Sequence, residues 1–275
     1  METEDAIKSF KIKLSEEDMT EGTIETYCHH IKKYLEYCST NDYKHNDLDV
    51  LKKYIEEFKE KEKSNSTINL AISALRIFAK HILGDISLCT KSQRPKVEST
   101  SFIQFLDKDT IKSIINLTEK DKYKIIFSLM YGSGLRLKEV VKLRKSDIDL
   151  DEKIVYIRGK GPRVTILSKT SERLLKEYLI RFASLCYIFP GGGDNPYLSP
   201  RQIQREFKVS LSKTGSCEDA SVSCLRNSFI VHLLEKEVDS FKIRKTVGMS
   251  TEGFKRYVKA VRENVASQTI KSPLD

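Results

Sequence analysis

Two short β-branched runs, Ile154-Val-Tyr-Ile-Arg158 and Arg163-Val-Thr-Ile-Leu167, interrupt a chain whose apolar residues otherwise recur at steps of three and four. Gly159-Lys-Gly-Pro162 between them supplies a tight turn, so the two runs read as one β-hairpin. The chain is therefore expected to be mainly α with a small antiparallel sheet.

The helical pattern is unbroken over the first eighty or so residues. One stripe opens at Thr23 and runs through Ile24, Tyr27, Ile31, Tyr34, Leu35 and Cys38, leaving Lys32, Lys33 and Glu36 to water. A second, Leu51, Tyr54, Ile55 and Phe58, stops in the charged run Lys59-Glu-Lys-Glu-Lys63. A third starts at Ser66, continues through Ile68, Ile72, Leu75, Phe78 and Ile82, and ends where Gly84 suits a helix C-cap. Three or four such helices close a small bundle, which places a helical domain over 1–84. Residues 85–104 lose the periodicity and carry Ser, Thr, Lys, Gln and Pro95, the composition of an exposed linker. Lys91, Arg94 and Lys96 in it suit either a phosphate backbone or plain solvation.

A second domain is expected over 105–275. Asp107 or Asp109 is placed to cap a helix carrying Ile111, Ile114, Ile115 and Leu117. A strongly apolar helix over 124–130 ends at Gly132-Ser-Gly134, the hairpin follows, and helices are expected at about 170–183, 200–212, 222–236, 239–247 and 250–261. Gly191-Gly-Gly-Asp-Asn-Pro196 reads as a loop, without the strand-then-helix context of a phosphate cradle.

Composition narrows the partners. A net charge of +9 over 275 residues favours an anionic partner, and for a soluble chain nucleic acid is the usual one. No apolar run approaches the ~20 residues of a membrane span, and the acidic start Met1-Glu-Thr-Glu-Asp5 lacks a secretory signal's features. A cytoplasmic protein without a membrane partner is the expectation. The cysteines, Cys28, Cys38, Cys89, Cys186, Cys217 and Cys224, form no C-x-x-C pair and no grouping with histidine. They suggest reduced, mostly buried thiols, and no metal site, cofactor or small-molecule substrate is expected.

Four segments then stand out by their order: Gly132-Ser-Gly-Leu-Arg-Leu-Lys-Glu139, Arg158-Gly-Lys-Gly161, Ser223-Cys-Leu-Arg-Asn-Ser-Phe229, and Gly248-Met249 followed by Arg256-Tyr257. Together they resemble the tyrosine recombinase (phage integrase) family, in particular its compact Xer-type members. Ile188-Phe-Pro-Gly191 and Leu198-Ser-Pro-Arg-Gln-Ile203 resemble the connection in the middle of its catalytic domain. Gly22-Thr-Ile-Glu-Thr-Tyr27 and the stretch from Ser66 to Arg76 resemble its core-binding helices. The resemblance implies a helical core-binding (SAM-like) bundle and a tyrosine-recombinase catalytic domain clamping double-stranded DNA. It further implies a homo-tetramer on paired sites that works through a Holliday junction, with residues 262–275 passed to a neighbouring protomer. Val265, Ala266 and Ile270 fit such docking, and a frayed terminus fits nearly as well.

The chemistry explains the residue types. Attack on a phosphodiester builds negative charge on the non-bridging oxygens, which fixed guanidinium forks hold well; Arg136 and Arg226 are the candidates. Lys160, at the hairpin tip, is the candidate to protonate the leaving 5′ oxygen. Tyr257 would form a 3′-phosphotyrosyl bond that keeps the diester energy for religation. Each has an ordinary reading when taken singly: a surface Arg136, a solvated Lys160, a salt-bridged Arg226, an amphipathic Tyr257 at a helix edge. Glu139 either positions Arg136, three residues away, or is merely exposed, and His232 reads as a packed helix residue rather than a catalyst.

The match breaks at specific places. Ser223 stands where the family usually has a histidine, Met249 where it has histidine or tryptophan, and Asn227 where another histidine is frequent. The stretch from Met249 to Tyr257 is also one residue short. Serine still donates a hydrogen bond but is no base near neutral pH, and methionine cannot donate. Ser223 and Met249 are thus weakened catalytic positions. The readings left open are an active Xer-like recombinase that resolves chromosome or plasmid dimers, a small mobile-element integrase, and a catalytically impaired DNA-binding paralogue. The expected lack of an additional N-terminal arm-binding domain favours the first over excision of a phage with arm sites.

Overall fold

The computed structural model of the protein describes residues 3–62, 64–83, 95, 103–159, 161–181, 186–193, 195–216 and 219–267. The chain divides into two compact units, residues 1–101 and 102–275. Gly84 and nearly all of the expected linker lie outside the described residues, as do residues 268–275 of the expected exchange segment. No helix among the described residues is long and apolar enough to cross a membrane.

The first unit contains α1 (Thr3–Glu16), α2 (Glu21–Thr40), α3 (Leu48–Lys61) and α4 (Asn65–Phe78), which runs on into a π-helical turn, Ala79–Leu83. The three apolar stripes become α2, α3 and α4. The fourth helix, α1, buries Ala6, Phe10 and Leu14 at four-residue steps. Asp47 accepts a hydrogen bond from Asp49 N at 2.9 Å and Ser64 from Thr67 N at 3.3 Å, satisfying backbone donors that open α3 and α4. The bundle closes on Phe10, Ile31, Tyr34, Leu51, Ile72, Leu75 and Phe78, with Phe10 and Phe78 edge to face at 5.5 Å.

The second unit begins with α5 (Lys108–Leu117), α6 (Asp121–Gly132), the short α7 (Leu137–Val140) and a 3₁₀ turn, Lys145–Asp147. Strands β1 (Ile148–Asp149), β2 (Ile154–Ile157) and β3 (Arg163–Ile166) follow, and then α8 (Lys169–Arg181), α9 (Pro200–Ser212), α10 (Ser223–Glu235), α11 (Ser240–Val247) and α12 (Thr251–Ser267). The expected hairpin is β2–β3, paired Val155 to Thr165 and Ile157 to Arg163. The edge strand β1, pairing Ile148 with Val155, is too short for a periodicity to reveal. Of the two capping aspartates, Asp107 takes the role, accepting from Asp109 N and Thr110 N at 2.8 Å each.

Helix α10 is the axis of this unit. Cys224, Leu225, Arg226, Ser228, Phe229, Ile230, Val231 and His232 are all buried, so the helix is covered on every side and shows no amphipathic stripe. Ser228 Oγ receives the Leu106 N–H at 2.8 Å, tying the helix to the segment before α5. His232 is a packed residue, its Nδ1 3.0 Å from the Tyr131 hydroxyl, and burial holds its imidazole below the ordinary histidine value.

The turn between α6 and α7 fits against α10 at one glycine. Gly134 has φ +64°, and a Cβ there would lie 2.6 Å from the Phe229 ring. Gly134→Ala should therefore destabilise the protein by roughly 2–4 kcal/mol, combining left-handed backbone cost with overpacking. Gly192→Ala, whose Cβ would meet nothing within 4 Å, should shift stability by less than about 1 kcal/mol. Urea unfolding midpoints of the two variants make the comparison.

Candidate active site

Helix α11 ends in a left-handed cap at Gly248, φ 60°, so its last carbonyl oxygens have no partner within the helix. Three arginines from three other elements take them in succession. Arg163 Nε of β3 donates to Thr246 O at 2.9 Å, Arg226 Nη2 of α10 to Val247 O at 2.6 Å, and Arg136 Nη2, at the start of α7, to Gly248 O at 2.9 Å. Glu139 binds the same set from the other side. Its carboxylate receives Arg163 through Nη1 and Nη2, each at 2.8 Å, Arg136 through Nη1 at 2.8 Å and through its backbone N at 2.7 Å, and has Arg226 Nη1 3.8 Å away. Arg226 Nη1 also donates to Gly134 O.

Two of the four expected catalytic residues, Arg136 and Arg226, thus share one frame. Arg226 is buried at 6% exposure, whereas the Arg136 side chain is 46% exposed. Tyr257 lies on α12, which packs against α10, but its hydroxyl is turned to Asn227 Oδ1 at 2.8 Å and the residue is only 2% exposed. Asn227 is itself oriented by donating from Nδ2 to Gln104 O at 3.0 Å. Lys160 lies outside the described residues. Its neighbours Gly159 and Gly161 have φ +99° and +84°, a turn that side-chain-bearing residues rarely adopt. Ser223 is exposed at the first residue of α10, and Met249, just past the cap, is half-buried. A cavity of about 1150 Å³ opens beside the frame. Arg136, Arg163, Lys242, Arg244, Lys245 and Met249 are among its lining residues, while Arg226 and Tyr257 are not.

Residues 104–262 match the model of the phage integrase family, and residues 7–82 that of the phage integrase N-terminal SAM-like domain. The chain belongs to the phage integrase family. Among curated relatives, the tyrosine recombinase XerA of Pyrococcus horikoshii is 29% identical over 250 residues, covering 89% of this chain and 85% of that one. The tyrosine recombinase XerC of Chlamydia trachomatis is 26% identical over 225 residues, 73% of this chain and 68% of the other. Among solved structures the fold is similar to that of XerH bound to a difH substrate before cleavage, with TM-score 0.69, 18% identity and coverage of 90% and 80%. A XerA recombinase crystal structure matches with TM-score 0.55 and 21% identity over 98% of this chain and all of the other.

In this phage integrase chain the site contains partners that neither motif nor apolar spacing marks in the sequence. By pattern Arg163 is only a strand residue, yet the register sets it opposite buried Ile157, and a charged group on a buried face calls for a partner. Asn227 registered only as a departure, and its contact with Tyr257 spans thirty positions that no spacing rule connects. Glu139 does position Arg136, and the merely exposed reading fails at 16% side-chain exposure.

The electrostatics follow from the contacts. Burial alone would raise the Glu139 carboxyl, but the hydrogen bonds from Arg163 and Arg136 outweigh it and hold the group at about 2, from an ordinary 4.5. Burial, helped by neighbouring Arg136, lowers the Arg226 guanidinium to about 10, leaving it charged at neutral pH. A carboxyl depressed in the folded state stabilises the protein above its unfolded value, and that contribution is lost as pH falls through the folded one. Between pH 5 and 2 the wild type should lose on the order of 3 kcal/mol more than Glu139→Gln. Urea midpoints over that range test this, and parallel acid limbs for the two proteins would refute it.

Proposed function

We propose that this chain is a site-specific tyrosine recombinase that cuts and rejoins duplex DNA, with Tyr257 as nucleophile and Arg136, Arg226 and Lys160 as its catalytic partners. The observation that carries the reading is the shared frame of Arg136 and Arg226: two guanidinium groups fixed on one carboxylate and on successive carbonyls of the α11 terminus. Such prefixed cations suit a phosphate whose charge grows in the transition state, because they need no reorganisation when it forms. The Tyr257 oxygen bonds to phosphorus as the bond to the 5′ oxygen breaks. The phenol gives up its proton to solvent water, and the leaving oxygen takes one from Lys160, which solvent reprotonates. Reversal with a 5′ hydroxyl from another strand rejoins the DNA and restores the phenol.

In the present arrangement the phenol donates its hydrogen bond to Asn227. An amide oxygen accepts a hydrogen bond but does not take up the proton. That hydrogen bond must therefore break before Tyr257 attacks a phosphate. The role proposed for this relative of the Xer tyrosine recombinases is the resolution of circular DNA dimers, by four protomers on two sites in the cytoplasm.

The test uses a pool of nicked duplexes with randomised central sequence, scored for a protein–DNA adduct that survives denaturation. Wild type should form it. Tyr257→Phe should abolish it while affinity for the selected duplex stays within about twofold, since only the nucleophilic oxygen is lost. An adduct from the Phe variant would assign the chemistry to another tyrosine. The logarithm of the non-covalent binding constant should fall by about 0.9 per phosphate neutralised for each tenfold rise in salt. Binding with that slope but no wild-type adduct would make the chain a DNA-binding paralogue.

A further inference from the structure

The cavity beside the frame is lined by five cationic side chains, Arg136, Arg163, Lys242, Arg244 and Lys245, and by no carboxylate among the described residues. Two of its arginines are already engaged. Arg163 donates through all three of its nitrogens, two to Glu139 and one to Thr246 O. Arg136 uses both terminal nitrogens, on Glu139 and Gly248 O. Arg244 differs. Its Nε is buried and finds no hydrogen-bond acceptor, and its side chain forms no ion pair among the described residues. A buried guanidinium donor without an acceptor, in a concentration of like charge, lowers stability on both counts. No carboxylate among the described lining residues offsets that charge, which an anion in the cavity would balance.

Its place in the chain says which anion. Arg244 lies one turn before the α11 cap, and its carbonyl accepts the Met249 N–H at 3.1 Å. Met249 lines the same cavity and occupies the position where the sequence lacks a side-chain donor. The adjoining Gly248 carbonyl anchors Arg136, a proposed phosphate ligand. From this juxtaposition we infer that Arg244 holds a non-bridging oxygen of the scissile phosphate, supplying from within α11 the donor that Met249 cannot. This rests on the recombinase reading above, and it assigns to Arg244 a catalytic part that the sequence did not suggest.

Single-turnover adduct formation on the selected nicked duplex tests it, with the scissile phosphate either natural or replaced by an uncharged methylphosphonate. Arg244→Ala should slow adduct formation on the natural diester by on the order of 10- to 100-fold, with DNA affinity within about threefold. On the methylphosphonate, relative to wild type on the same substrate, the loss should shrink to about threefold or less, because the charge Arg244 balances is gone. Arg244→Lys, which keeps the charge and loses the fork, should fall between wild type and Arg244→Ala. Placing the Arg244→Ala change in a Met249→His background should reduce its effect, since a second donor then reaches the oxygen. An equal loss on both substrates, with full additivity to Met249→His, would overturn the inference by making Arg244 structural. A loss relieved only when a phosphate one nucleotide away is neutralised would also overturn it, assigning Arg244 to DNA binding. Failure of the recombinase reading is seen separately, as the absence of any wild-type adduct on the natural diester, and it overturns both.

Discussion

One carboxylate and one helix end gather three guanidinium groups that would otherwise repel each other. Two like charges 4 Å apart cost about 4 kcal/mol at an effective dielectric of 20, so three arginines do not assemble without compensation. Glu139 and the Thr246, Val247 and Gly248 carbonyls provide it, the helix end adding the negative pole of its dipole. The four elements that meet there, β3, α7, α10 and α11, are brought into register by these bonds as well as by apolar packing. The left-handed turns at Gly134 and Gly248 have the same logic. Each aims a carbonyl at an arginine where a side-chain-bearing residue would collide with Phe229 or with Arg163.

Much of this fold was legible because helices and hairpins leave periodic traces. The stripes of α2, α3 and α4, the β2–β3 hairpin and the order of helices α8 to α12 follow from apolar spacing and turn residues within short windows. What was not legible depends on contacts between distant segments. β1 has two residues and exists only because β2 offers it an edge. Helix α10 has apolar residues all round, which signals burial without saying against what. At the site, the ordered motifs pointed to Arg136, Arg226 and Tyr257, whereas the Arg163–Glu139 pair joins a strand to a helix start 24 residues away.

The departures from the family pattern take on a different character in three dimensions. Ser223 is exposed at the start of α10, so a small hydroxyl there faces outward and leaves the frame intact. Met249 follows the cap and packs against the cluster of Phe229, Val247, Phe254 and Tyr257. It thus joins the frame to the helix of the proposed nucleophile through apolar contact. Neither substitution disturbs the arginines, whose partners are backbone oxygens and one carboxylate.

The cover over the Tyr257 hydroxyl has a consequence for fidelity. The hydroxyl of a tyrosine that is only 2% exposed, hydrogen-bonded to Asn227, is not freely presented to any phosphate that drifts past. If only a small fraction of molecules exposes it at a given moment, every encounter rate with an arbitrary duplex is multiplied by that fraction. Errors are then suppressed by an equilibrium within one protein, ahead of any reading of bases. A protein that leaves covalent breaks in a genome gains from such latency. On the proposed mechanism, only a site that is held until Asn227 releases the hydroxyl is converted from a contact into a cut.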